Sequence, residues 1–195
     1  MVDETEYRST YNNINATRCV FEKALMTRQC LCSRARNFRL AEREGFACNH
    51  QAAQQRCATL LGVLRRNARF ALGITSAEGP LPHNKEIRVQ VGGLRGLKAL
   101  CSDALKGVEP AAAQQPDQPM PRNMRMARQM GLAAPLPPEQ IVTDIDATVE
   151  ACVNRYGRLD ALPFDKIIPA IVAYQVKRWR RKRRSDLPPE TPPDE

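Results

Sequence analysis

The residues best suited to chemistry are seven cysteines, Cys19, Cys30, Cys32, Cys48, Cys57, Cys101 and Cys152, five of them within the first 57 positions. The chain begins without a basic region followed by an apolar one, so the expected setting is cytoplasmic and reducing. There, clustered thiols point to metal or redox chemistry rather than structural disulfides.

Helix geometry narrows the ligand sets. Cys19 and Cys30 lie 11 positions apart; on one unbroken helix that is about 16 Å along the axis, too far for one metal ion. Cys30 and Cys32 point to nearly opposite faces of a regular helix, so both reach one centre only if the helix breaks near Leu31. The set that remains is Cys30, Cys32, Cys48 and Cys57, written C-x-C-x15-C-x8-C. Thiolates in fours suit an iron–sulfur cluster or a zinc ion. The spacing departs from the paired C-x2-C of zinc ribbons and from the ferredoxin run. Two other readings stand beside it. Cysteine is a small buried hydrophobe, and Cys57, Cys101 and Cys152 fall on apolar stripes. A Cys30–Cys48 or Cys32–Cys57 disulfide would make a thiol switch.

Other candidates carry less. His50, two positions after Cys48, is a possible ligand but more naturally a helix cap; His83 lies in a loop. Gly92, Gly93 and Gly96 match no nucleotide-binding pattern, and a tight turn suits them better than an anion site. Asp144 and Asp146 form no recognisable acid pair. Asn15-Ala16-Thr17 is a glycosylation sequon with no secretory route expected. Two distant histidines argue against a hydrolytic dyad, so an enzyme ranks behind the binding readings.

Charge is concentrated in one place. The chain of 195 residues has a net charge of +9, and seven of the eight residues Lys177, Arg178, Trp179, Arg180, Arg181, Lys182, Arg183 and Arg184 are cations. Such a block binds an anionic partner, whether RNA, DNA, a protein complex or an anionic membrane surface, with Trp179 able to stack on a base. Its plain alternative is a solvated helix end. The last 11 residues hold four acids and no base, a tail able to shield the block.

The elements expected to position these groups are helical, and the expected fold class is all-α. Residues 14–44 contain no Pro or Gly and space their apolar residues by three and four, which predicts a helix. Asn49 reads as the N-cap of a second helix over 50–72, whose stripe is Ala53, Cys57, Leu60, Leu61, Leu64, Ala68, Ala71 and Leu72. The connection over 45–48 then makes a helical hairpin. Residues 87–91 alternate like a short strand, and 93–105 give a third helix. Residues 1–11 are expected to be flexible, 12–106 to form the cysteine-bearing domain and 107–137 a Pro- and Met-rich linker. A two-helix module over 138–184 and an acidic Pro-rich tail over 185–195 complete the chain. No apolar run approaches the roughly 18 residues a membrane span needs.

Two functions from different classes follow. The first is a non-enzymatic cytoplasmic protein, a sensor, carrier or assembly factor, whose cysteines coordinate a metal or iron–sulfur cluster and whose basic block engages an anionic partner. The second is a metal-free adaptor or assembly subunit with core cysteines that docks on a larger complex through the same block.

Overall fold

The computed structural model describes residues 4–40, 43–74, 81–106 and 141–175. The expected basic block, the Met-rich linker and the acidic tail lie outside these residues. The described elements are α1 (Glu4–Ile14), α2 (Glu22–Met26), β1 (Ala35–Leu40), β2 (Arg43–Cys48), α3 (Gln51–Ala68), α4 (His83–Ile87), a π-helical turn (Arg88–Gly92), α5 (Gly93–Leu100), α6 (Ile145–Tyr156), a 3-10 turn (Leu159–Ala161) and α7 (Phe164–Ala173).

The fold is mixed α/β rather than all-α, because β1 and β2 pair antiparallel from Ala35 opposite Cys48 to Leu40 opposite Arg43. The expected helix over 14–44 survives only as the end of α1 and the five residues of α2. The expected helical hairpin does not form: the end of its first arm and its connection make the β1–β2 hairpin, and only its second arm, α3, is helical as expected. Backbone pairing with distant segments overrides the helical spacing. Arg28 has a φ of 58°, which ends any helix there. Beyond it, Val142 N–H donates to Gln29 O and Leu31 N–H donates to Val142 O, both at 2.9 Å. On the free edge of β2, Cys19 N–H donates to Phe46 O at 2.9 Å and Cys48 N–H donates to Thr17 O at 2.7 Å. Helix propensity is a preference of tenths of a kcal/mol per residue, and tertiary pairing exceeds it.

The stripe expected on the second helix is largely the buried face of α3: Ala53, Leu60, Leu61, Leu64 and Ala68 are buried, joined by Val63. Burying each Leu contributes about 1.5–3 kcal/mol. The cap is His50 rather than Asn49, its Nδ1 accepting from Ala53 N–H at 3.1 Å. Residues 87–91 are helical, not a strand.

Residues from 12–106 and from 141–175 share one core, in which Phe21, Leu60, Leu64, Leu94 and Leu97 meet Ile145, Ile167 and Ile171. Two glycines make this packing close. A Cβ on Gly92 would lie 2.6 Å from Ile171 Cα, and one on Gly96 would lie 3.1 Å from Ile167 Cα. The Gly-rich stretch thus seats α7 against the helix interior and is not the tight turn the sequence suggests. Asp144 caps α6 by accepting from Asp146 N–H at 3.0 Å. Gly157 ends α6 with a φ of 74°. No helix among the described residues is long and apolar enough to cross a membrane.

Candidate functional site

Four thiols meet at one cavity. Its walls hold Cys19, Cys32, Cys48 and Cys57, with Phe21, Ala35, Ala53 and Ile145 as apolar lining and Arg34, Gln54 and Asp146 as polar members. Each cysteine comes from a different piece of backbone. Cys19 sits where residues 17–19 add to the free edge of β2, whose last residue is Cys48. Cys57 lies in the second turn of α3, and Cys32 in the loop that leads to β1. The β-hairpin and the N-terminus of α3 therefore bring together groups as many as 38 positions apart.

Of the residues expected from spacing, Cys32, Cys48 and Cys57 line this cavity and Cys30 does not. Cys30 pairs by backbone with Val142 and is fully buried. Burial pushes its thiol up to about 12, with the Arg95 guanidinium opposing. Cys19, set aside because an unbroken helix would hold it too far away, stands at the cavity because no such helix forms. No local signal marks it: β2 buries its last four residues in a row without alternation, and Cys19 is placed by its backbone bond to Phe46, 27 positions away.

The cavity is electrostatically adverse to bare thiolates. Burial pushes the Cys19 thiol up to about 12, opposed by the Phe21 N–H and reinforced by the thiols of Cys32 and Cys48. Burial likewise pushes Cys32 up to about 12, opposed by the Arg34 N–H, with Asp144 adding to the rise. Cys57 is also raised, first by burial and then by Cys32 and Cys19. With their ionisation pushed up in this way, the thiols of Cys19, Cys32 and Cys57 stay protonated near neutral pH, and this makes them poor nucleophiles. A soft cation would change that balance, since a coordinating thiol is deprotonated outright. Among the described residues, no group of three or more His, Cys, Asp or Glu side chains is gathered tightly enough to hold a metal ion as it stands.

Asp146 was not legible as a site residue. It is buried in the cavity wall and accepts from Arg34 Nε at 2.9 Å and Arg56 Nη2 at 3.3 Å. Asp144 is occupied as the α6 cap and also accepts from Ser33 N–H at 3.1 Å. His50 caps α3, and His83 is exposed at the start of α4.

No family model, curated protein or solved structure matches the chain. The site therefore rests on its own geometry. Two further buried carboxylates, Glu22 and Glu86, are each taken up by an arginine, Arg18 and Arg65, at 2.6 Å. They hold elements together and offer no open ligand position.

Proposed function

We propose that this is a non-enzymatic protein that holds a metal centre, an iron–sulfur cluster or a zinc ion, on Cys19, Cys32, Cys48 and Cys57, spaced C-x12-C-x15-C-x8-C. The observation that carries this reading is that four thiols from four separate segments line one cavity. Core filling alone gives no reason for four soft ligands to line the same cavity. Loading requires the four Sγ atoms to converge and the thiol protons to be released to solvent. Arg34, in the cavity wall, and Arg56 both donate to the buried Asp146 carboxylate, so their combined charge would offset part of that of a tetrathiolate centre. As a sensor, carrier or assembly factor in the cytoplasm, the protein engages an anionic partner such as RNA, DNA or an acidic protein surface through residues 177–184.

The competing reading is a metal-free adaptor, favoured by the complete burial of Cys30, Cys101 and Cys152, which fill core space.

Anaerobically purified protein separates the two. The expected result is a broad absorption band near 400 nm with matching iron and sulfide, or stoichiometric zinc. Ser at any of positions 19, 32, 48 or 57 abolishes it, whereas Cys30→Ser retains it. Colourless, metal-free protein whose fold survives Cys48→Ser and Cys57→Ser overturns the reading in favour of the adaptor. For the partner, neutralising residues 177–184 should weaken nucleic-acid binding and flatten its salt dependence. Unchanged binding removes the assignment of the block.

A further inference from the structure

We infer that Cys101 and Cys152 form a second, covalent thiol site: a disulfide that staples the end of α5 to α6. The two Sγ atoms stand 2.9 Å apart although the residues are 51 positions apart in the chain. That is well inside the ~3.5–4.0 Å at which even the smaller carbon atoms pack without a bond, and longer than a covalent S–S bond of about 2.05 Å. Both residues are fully buried. Cys101 is the residue that caps α5, and Cys152 lies on the buried stripe of α6 with Ile145, Thr148 and Val149. The two elements are fastened at the same point by a second tie, Arg155 Nη1 donating to Leu100 O at 2.8 Å. Core filling accounts for the burial of two small side chains, but not for their sulfurs being pressed together.

The reaction is thiol–disulfide exchange with a small-molecule or protein disulfide as oxidant. One cysteine, as its thiolate, attacks a sulfur of the oxidant and displaces one thiolate. The other cysteine then attacks the mixed disulfide, forms the Sγ–Sγ bond and displaces the second. The two protons lost by the cysteines go to the two departing thiolates. The protein is oxidised by two electrons and the oxidant reduced by two. Because both sulfurs are closed to solvent in the folded chain, exchange takes place during folding or local opening, and the finished bond is shielded from reductants. It is independent of the four-cysteine cavity, whose walls contain neither residue.

The test uses the full chain. Denatured, reduced protein is refolded in a buffer of oxidised and reduced glutathione, its remaining thiols are alkylated, and it is digested with trypsin without reduction. Cleavage after Lys98, Lys106, Arg128 and Arg155 places Cys101 and Cys152 in separate peptides. The expected product is one dominant cross-linked pair joining them. The oxidised form should melt about 5–15 °C above the reduced form, a difference absent from Cys101→Ser and from Cys152→Ser. Alkylation of both residues in refolded protein, or their pairing with other cysteines, overturns the proposal. The peptide masses read the bond in the unmodified sequence, so the result stands even where a variant fails to fold. They are also indifferent to metal content, which keeps this outcome separate from that of the metal centre.

Discussion

Arg34 Nε donates to Asp146 Oδ2 at 2.9 Å, joining the loop before β1 to the first turn of α6 across 112 positions. The carboxylate is buried while Arg34 is 48% exposed, so the two partners are unequal. Asp146→Ala is expected to cost about 1–2 kcal/mol, because Arg34 and Arg56 can rehydrate. Arg34→Ala should cost less than about 1 kcal/mol, since Arg56 still serves the carboxylate. Urea denaturation of the two variants checks the order; equal costs would show that the carboxylate is not buried as described.

The same inequality is sharper at Glu22. Its carboxylate accepts from Tyr11 Oη, from Phe46 N–H at 3.1 Å and from Arg18 Nε at 2.8 Å. Glu22→Ala strands a buried hydroxyl and a buried N–H together and should cost about 3–5 kcal/mol. Arg18, 57% exposed, is expected to cost under about 1 kcal/mol when replaced by Ala. A thermal melt of each variant is sufficient, and comparable losses would refute the assignment.

Two glycines within helical segments should respond oppositely to alanine. At Gly92 the added Cβ would meet Ile171 Cα at 2.6 Å and Ala170 O at 2.8 Å, so α7 must move, at about 1–3 kcal/mol. At Gly62 the nearest atom is Arg66 Nη1 at 4.0 Å, so the helix gains about 0.5–1 kcal/mol from the lost glycine freedom. A rise in midpoint for both would mean that α7 does not pack against Gly92.

Metal-free protein should lose stability as pH rises above about 9. The thiols of Cys19, Cys30 and Cys32 ionise near 9.0 when unperturbed and are pushed up to about 12 by burial in the fold. Between those values the unfolded chain releases protons that the folded chain keeps, so each unit of pH costs up to about 1.4 kcal/mol per group. The stability these thiols contribute is fully present below pH 9 and lost as pH approaches 12. Burial raises Tyr11 to about 12 as well, which adds in the same direction at the upper end. Metal affinity should move the other way and strengthen with pH, because binding displaces thiol protons. Chemical denaturation at pH 7.5, 9 and 10, with and without metal, reads both trends. Flat stability of the metal-free form across that range would contradict the burial of the thiols.

Much of α3 was legible because its pattern is local. A stripe repeating every three to four residues needs only one apolar neighbour to become a helix face, and Leu60, Leu61 and Leu64 found one. Residues 14–44 carried the same spacing and failed as a helix. Within them, 17–19 and 29–31 found backbone partners far along the chain, at 46–48 and at Val142, and 35–40 paired with the adjacent strand β2; no local window joins 17–19 to Phe46 or 29–31 to Val142. The alternation at 87–91 misled for the converse reason: Gln90, a polar position of that pattern, is itself buried in the helical segment, where its side chain accepts from Ala24 N–H and donates to Val20 O.

By itself the sequence determined the inventory: thiols clustered near the start, a strongly basic stretch at 177–184, a long amphipathic helix and no run long enough to span a membrane. It also placed Cys48 just before the long helix and Cys57 on that helix. Which cysteine completes the set was decided by tertiary structure alone. Cys19 reaches the cavity, and Cys30 is drawn to Val142 instead, because hydrogen bonds made across 27 and 113 positions outweigh the helical preference of the residues between. The meeting of Cys101 with Cys152 has the same origin. Sequence spacing sets where a side chain points on an element, and only the packing of elements sets what it meets.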